Sequence, residues 1–402
     1  MKVKITSFDD FGRGITRNND KICFIENALP EELVDIKILE EKKKYQVGKV
    51  KEYLETSNKR IPAKCKYYDI CGGCNLEHIS IEDENEFKKE KVEKIIKKFS
   101  SKEIKVKKIT YSNEYNYRNK VTLRVEHGKI CLLEKESNNL VEINKCLIVV
   151  DKINEIILKL KEKTKEENLI NKIMIRVSND QKKVMLKIDG EVKNIDKFKE
   201  ICDSLTVNNE VVKNEYIISS ILDKNFYLTA DSFFQINKDV TEKMYQKIID
   251  LVKEFKPNNV LDLYCGVGTI GISVANYSKK VFGIEVVENA IESAKKNKEL
   301  NNIENIDFKC GKVEDIIDNS YNNYDLIIVD PPRSGINKKA LDVINNSAAK
   351  KIIYVSCDPV TLARDIKGLT KYELKEVELF NMFPRTYHVE CISVLERKNI
   401  EK

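Results

Sequence analysis

The chain has no tryptophan, three histidines and ten arginines among 402 residues. Nowhere does it run to the roughly 18 consecutive apolar residues that a membrane helix needs, so a spanning helix is excluded. Seven prolines and 14 glycines are too few for a fibrous or low-complexity chain. An apolar share of 42% is too high for a disordered one. Charge of one sign is lacking as well: 71 basic against 65 acidic side chains leave a net +6, too mild to announce a nucleic-acid binder. Lysine supplies 61 of the basic residues, which reads as a compositional bias and not as a binding signal. The opening Met1-Lys2-Val3-Lys4-Ile5 alternates charged and apolar residues as a strand does, which predicts no secretory leader and a cytoplasmic protein. Against these scarcities stand eleven cysteines. In a reducing compartment they read as metal ligands or nucleophiles, not disulfides.

At this length two or three folded units are expected. Strand-like runs over 3–8, 22–25, 33–39 and 46–54 are punctuated by the turn-prone Asp9-Asp10-Phe11-Gly12 and Asn18-Asn19-Asp20. They predict an OB-like antiparallel barrel over 1–57. Such barrels hold oligonucleotides or simply cap a neighbouring domain. From Glu82 the pattern turns helical: Val92, Ile95, Ile96 and Phe99 keep the spacing of one buried helix face. Ten lysines and three glutamates lie between Lys88 and Lys108, either the solvated side of that helix or a stripe facing phosphates. Strands over 120–125, 129–133, 173–177 and 183–188, with a helix over 151–163, make 58–230 an α+β domain. The helix over 82–100 is expected to reach onto the last domain. From Asp231 strands alternate with helices, so 231–402 reads as a doubly wound α/β domain.

Val260-Leu261-Asp262-Leu263-Tyr264 reads as a buried strand, followed by Cys265-Gly266-Val267-Gly268-Thr269-Ile270-Gly271. G-x-G-x-x-G between a strand and a helix is the dinucleotide fingerprint. Glu285 ends the next strand 19 residues beyond Gly266, placed for a ribose diol. A nicotinamide or flavin dehydrogenase would fit so far. Asp262 opposes it, because a carboxylate just before the loop disfavours a pyrophosphate. It suits a ligand with a cationic amine and no phosphate, S-adenosylmethionine. The strand over 325–329 runs into Asp330-Pro331-Pro332, which sets Asp330 at the carboxyl edge where open α/β sheets bind ligands. Together these features point to an S-adenosylmethionine methyltransferase.

A further apolar strand over 351–356 leads straight into Cys357-Asp358-Pro359. Cysteine at a strand end is commonly a small buried hydrophobe, but this one sits at the edge of the expected cofactor cleft. A methyltransferase needs a nucleophilic thiol when its target carbon is unreactive, as uracil C5 is. Thiolate addition at C6 makes C5 nucleophilic, and a base must later remove the C5 proton. His388 and Glu390 share one face of the strand before 392–395, and both are candidates. Glu390, between Val389 and Cys391, is expected to be partly buried, which raises a carboxylate's pKa and strengthens it as a base.

These residues fall into one ordered series: Cys65-x5-Cys71-Gly72-Gly73-Cys74, Tyr117-Arg118-Asn119-Lys120, Asp231-Ser232-Phe233-Phe234-Gln235, Asp262 to Gly268, Asp330-Pro331-Pro332-Arg333, Ser356-Cys357-Asp358-Pro359 and His388-Val389-Glu390. The series resembles the RNA uracil-C5 methyltransferases along essentially the whole chain, especially the bacterial 23S rRNA type. Gly12-Arg13-Gly14 and Ala28-Leu29-Pro30 resemble the TRAM domain, an RNA-binding barrel. The resemblance implies Cys357 as nucleophile and Glu390 as base. It implies Gln235, Tyr264, Glu285 and Asp330 as contacts to S-adenosylmethionine. Thr269 stands where the family often has asparagine, and Lys312 where it often contacts the adenine, so neither contact is carried over.

Three cysteines around Gly72-Gly73 read as a metal site. Zinc would take four Cys or His ligands, with His78 in reach, and a [4Fe–4S] cluster four thiolates. The resemblance implies the cluster, held by Cys65, Cys71, Cys74 and a distant Cys146, with Cys131 second in line. Cys23, Cys202, Cys265, Cys310 and Cys391 read as packing residues. The expected partner is RNA, 23S rRNA before tRNA, with no membrane and no obligate protein partner. A non-catalytic RNA-binding iron–sulfur protein is the remaining alternative. The scarce Arg13, Arg118, Arg333 and Arg385 recur inside motifs and are expected to contact RNA phosphates or orient site carboxylates.

Overall fold

Alternating burial along Lys21–Glu26 and Leu33–Glu41 turns Cys23, Ile25, Val34 and Ile36 to one side, where they meet Ile5 and Ala28. This is the first of four sheets in the computed structural model, which describes residues 1–18, 20–167, 169–317 and 323–399. Its six strands run in the order Lys2–Lys4, Leu33–Glu41, Tyr45–Glu55, Lys21–Glu26, Gly14–Asn18, Ser7–Phe8. Buried Glu32 ties this unit to the following segment by accepting from the backbone of Leu29 and Ser57 and from the Arg60 fork.

A seven-stranded sheet follows, spanning Lys120–Glu126 to Glu210–Lys213, with helix Asp151–Lys163 laying Ile153, Ile156, Ile157 and Leu160 on it. Helix Ile81–Ser100 starts at Ser80, whose hydroxyl accepts from Asp83 N at 3.0 Å, and stops at Ser101 in the left-handed region. Its Val92, Ile95 and Ile96 join Leu362, Ala363 and Ile366 in the core of the last domain. Each such burial is worth about 1.5–3 kcal/mol. Phe99, placed on that face by its spacing, is exposed. The buried stripe ends on Ser100, four residues after Ile96, and the next turn no longer has a partner surface.

The last sheet has eight strands in the order Ile306–Cys310, Lys280–Glu285, Asn259–Leu263, Leu326–Val329, Lys351–Ser356, Glu390–Arg397, Tyr372–Phe380, Ile109–Thr110. The first five are parallel, and Glu390–Arg397 runs antiparallel between Lys351–Ser356 and Tyr372–Phe380. Chain order reverses between Asn259–Leu263 and Leu326–Val329, so the crevice at their carboxyl ends is the natural ligand site. This core also draws on chain before residue 231. The hairpin Ile217–Ile221 and Lys224–Leu228 packs Ile217, Ile221, Phe226 and Leu228 beside Met244 and Ile248. Among the described residues no helix is long and apolar enough to cross a membrane.

Candidate active site

The strand Asn259–Leu263 ends in a loop that turns through positive φ at Tyr264 (62°), Gly266 (53°) and Gly268 (83°) before helix Thr269–Val274. A Cβ at Gly266 would meet nothing within 4 Å, so the loop borders open space there. At Gly268 it would strike Phe308 at 2.8 Å, which fixes the approach of helix to sheet. Tyr264 holds a conformation that costs a side-chain-bearing residue about 1–2 kcal/mol, at the mouth of the cleft where such strain concentrates. Glu285 accepts from Val286 N at 2.8 Å, Val287 N at 2.9 Å and Gly266 N at 3.2 Å, so its carboxylate is locked beside the loop. Asp262 lies beneath it, fully buried: Oδ2 accepts from Gly271 N at 2.9 Å and Oδ1 has no partner. Burial pushes its carboxyl up to about 8. A cradle open at Gly266, an orphaned acceptor on Asp262 and a fixed carboxylate on Glu285 fit a ligand carrying an amine and a ribose diol, as S-adenosylmethionine does.

Gln235 is buried in the segment before helix Lys238–Phe255. Two motifs far apart in sequence meet here, since Asn119 donates its backbone N–H to Ile236 O at 2.9 Å and its side chain to Gln235 O at 3.4 Å. Thr269 bonds the buried Tyr245 hydroxyl at 2.7 Å, and Lys312 is exposed before helix Val313–Ile316.

Cys357 occupies the bend between Lys351–Ser356 and helix Pro359–Gly368. Asp358 caps that helix by accepting from Val360 N and Thr361 N, both at 2.9 Å, and Ser356 Oγ donates to Asp358 O at 3.0 Å. The thiol therefore projects from a clamped turn. Ser356 pairs with Cys391 in the antiparallel ladder, so one more register step sets Cys357 beside Glu390. Burial, Glu390 and Asp330 push the thiol up to about 12, and Arg333 opposes them. Glu390 is buried; desolvation and Asp330 hold it well above the usual carboxylate range. Asp330 is half-buried and driven up to about 7 by desolvation. His388 is half-buried and pushed down to about 4, so its imidazole is neutral. The fold thus brings Cys357, Glu390 and Asp330 to one sheet edge, with the exposed Arg333 the cation that opposes the rise of both Cys357 and Glu390.

Arg385 does not reach this edge. It is buried, donates its backbone N–H to Glu84 at 2.9 Å and Nη1 to Ile79 O at 2.8 Å, and pairs with Glu114. It is a clamp between the helix at 81–100 and the loop before Glu390, closed to RNA. The lysine run divides in the same way. Lys88 is fully buried on Glu84, Asn381 Oδ1 and Phe383 O, and Lys91 is buried on Tyr387 O, while Lys89, Lys94 and Lys97 pair with exposed glutamates. The signal was in the spacing: residues 84, 88, 91, 92, 95 and 96 share one helix face, and lysine on that face was read by charge alone.

Cys65, Cys71, Cys74 and Cys146 line one cavity of about 250 Å³ between the 65–74 loop and the seven-stranded sheet. Neither Cys131 nor His78 lines it. His78 is buried against the Tyr68 hydroxyl, which removes it as a competing ligand. Among the described residues no three His, Cys, Asp or Glu side chains are drawn close enough to chelate a single ion. Cys23, Cys202, Cys265 and Cys391 are buried packing residues, whereas Cys310, expected among them, is exposed at the end of an edge strand.

Residues 191–398 match the family described as tRNA (Uracil-5-)-methyltransferase, and residues 1–51 match the TRAM domain. An uncharacterized RNA methyltransferase of Clostridium acetobutylicum is 33% identical over 446 positions, covering 98% of this chain and 96% of the relative. Another, from Aquifex aeolicus, is 30% identical over 433 positions, covering 99% of each. The Pyrococcus abyssi tRNA (uracil-54, C5)-methyltransferase, solved with S-adenosyl-L-homocysteine, superposes with a TM-score of 0.84 at 26% identity over 98% of this chain and 99% of that one. A cleft fitted to S-adenosylmethionine, a barrel of the TRAM type and relatives matched end to end lead to one assignment: the chain belongs to the tRNA (Uracil-5-)-methyltransferase family and is an S-adenosylmethionine-dependent RNA (uracil-5-)-methyltransferase.

Proposed function

We propose that this enzyme methylates C5 of a uridine in 23S rRNA, with Cys357 as nucleophile and Glu390 as base. The observation that supports it is the ladder register, Ser356 opposite Cys391, which sets Cys357 and Glu390 side by side next to Asp330. S-adenosylmethionine supplies an electrophilic methyl group, and Gln235, Tyr264, Glu285 and Asp330 would hold it. Cys357 adds as thiolate to C6, and the C5=C6 electron pair moves onto C5 and O4. C5 takes the methyl group as its bond to the sulfonium breaks, leaving S-adenosylhomocysteine. Glu390 then removes the C5 proton, the C5=C6 bond re-forms and the thiolate leaves. A carboxylate that burial forces to hold its proton tightly is suited to that last step.

We further propose that Cys65, Cys71, Cys74 and Cys146 hold a [4Fe–4S] cluster. Its support is that all four thiols line one cavity of about 250 Å³, and four thiolates are what such a cluster takes. A tRNA substrate is the second reading, favoured by the Pyrococcus abyssi enzyme, which aligns over the whole chain including the barrel. The barrel by itself therefore does not choose between the two RNAs.

One experiment tests both the chemistry and the substrate. With 5-fluorouridine in place of uridine no C5 proton can be removed, so a denaturation-resistant adduct is expected between wild type and substituted 23S rRNA transcripts, and none with Cys357→Ala. An adduct with tRNA transcripts alone would overturn the 23S assignment, and an adduct in the variant would overturn Cys357.

A further inference from the structure

A groove of about 620 Å³ opens where the barrel, the 72–75 loop and the loop before Glu390 meet. Four cations, Arg13, Arg118, Lys135 and Arg333, line it against two carboxylates, Glu26 and Glu136. Two of its lining residues tie it to the catalytic edge: Arg333 acts on both Cys357 and Glu390, and His388 lies two residues before Glu390.

Its lining includes a row of rings. Phe11, at the tip of the barrel turn, meets Tyr387 edge-on at 5.2 Å, Tyr387 meets His388 at 4.2 Å, and His388 meets Phe383 at 5.9 Å. Phe11 is 50% exposed, although its ring sits at a junction of three parts of the molecule. Its turn is rigid. Asp9 Oδ1 accepts from Phe11 N at 2.9 Å and Arg13 N at 2.7 Å, and Gly12, at φ 77°, lies so close to Leu76 that a Cβ would stand 2.5 Å from Cδ2. Tyr387 is held from behind by Lys91, whose Nζ donates to Tyr387 O at 3.1 Å and sits 5.1 Å over the ring. An apolar ring kept in water by a locked turn, beside a cationic groove leading to the nucleophile, is what a stacking surface for an unpaired base requires.

We propose that the exposed ring of Phe11, braced edge-on by Tyr387, is a platform on which an unpaired RNA base next to the target uridine stacks, so that the barrel takes part directly in presenting the substrate to Cys357. This rests on the RNA-methylating activity proposed above. Uridine can reach Cys357 only out of its helix, and a stacked neighbour holds the strand in that opened form. Stacking is indifferent to which base is present, so the platform selects for an unpaired strand and not for a sequence.

The test compares Phe11→Ala with Phe11→Trp, using methyl transfer to total RNA from a strain lacking this enzyme and anisotropy of fluorescein-labelled r(U)12. For Phe11→Ala the KM for RNA should rise about ten- to a hundredfold, the range set by loss of one stacked base. The KM for S-adenosylmethionine and the melting temperature should stay put. Phe11→Trp, which keeps a stacking face, should remain within about threefold of wild type. Binding of r(U)12 should weaken in parallel, and its duplex with r(A)12 should bind wild type and Phe11→Ala alike. Wild-type behaviour of Phe11→Ala in both assays would overturn the platform, as would equal losses in both variants with a lowered melting temperature. If wild type methylates no RNA, the activity reading falls, and the platform is judged on r(U)12 alone.

Discussion

Cys357 and Glu390 are positioned by strand register, whereas Cys65, Cys71, Cys74 and Cys146 are brought together by loops. At the sheet edge every functional group rests on backbone hydrogen bonds: the Asp358 cap, the Ser356–Cys391 pair, the three N–H groups on Glu285. Around the cavity the ties are turns and side-chain bonds: Cys65 N donates to Glu77 at 2.8 Å, Cys71 N to Tyr67 O at 2.7 Å, Cys146 N to Asn154 at 3.0 Å and Gly72 N to Leu133 O at 3.0 Å. The two regions teach different things about preorganisation. The edge is set by ladder register, and the cavity by turns and side-chain contacts. They are also joined, since Asn75 N and Leu76 N, just after Cys74, both donate to Arg385 O in the loop before Glu390.

The largest effect should come from the edge. Glu390→Gln keeps the size of the side chain but cannot take the C5 proton, so turnover should fall about 10²–10⁴-fold, the usual worth of a general base. Methyl transfer precedes that step, so a methylated covalent RNA adduct should build up on denaturing gels. Normal turnover, or no adduct, would separate Glu390 from the chemistry and leave His388 as the base.

Cys74→Ala and Cys146→Ala should act less on rate and more on integrity. Wild type purified without oxygen should carry iron and broad visible absorption. Either variant should lose both, and Cys131→Ala neither. Through the Arg385 contact the base should shift slightly, lowering turnover by about ten- to a hundredfold, in keeping with misplacement remote from the chemistry. Iron-free wild type with full activity would reduce the cavity to packing.

Local pattern made the edge legible and long-range packing hid the rest. The glycine loop, Asp330 at a strand end and Cys357 after another strand all follow from alternation of strand and helix, which is written locally. Phe99 and Lys88 were misread for one reason: periodicity defines a helix face but not where its partner surface ends, nor that Glu84 and Asn381 would neutralise a lysine inside it. Arg385 sits in the same motif as His388 and Glu390, and only the structure shows it turned inward to Glu84 and Glu114. The platform was invisible because Phe11 and Tyr387 are 376 positions apart.

The smallest effect separates the two kinds of thiol by their charge surroundings. Only the thiolate is alkylated, and with Cys357 pushed up to about 12 its reaction with iodoacetamide should rise about tenfold per pH unit from pH 7 to 9. Arg333 is the cation that opposes this rise. Arg333→Gln should therefore raise the thiol further and slow its alkylation at every pH in that range. Arg333 is exposed, so solvent and salt screen it. A change of about threefold is expected at low ionic strength, shrinking as salt is added. Cys65 is raised by burial and by Glu77, and Cys71 by burial against the pull of Lys135; Arg333 is not among these causes, so in iron-free protein their rates should match wild type. Equal slowing at all thiols would mean that Arg333 acts through the fold and not through its charge. Faster alkylation of Cys357 would mean that the guanidinium shields the thiol more than it ionises it.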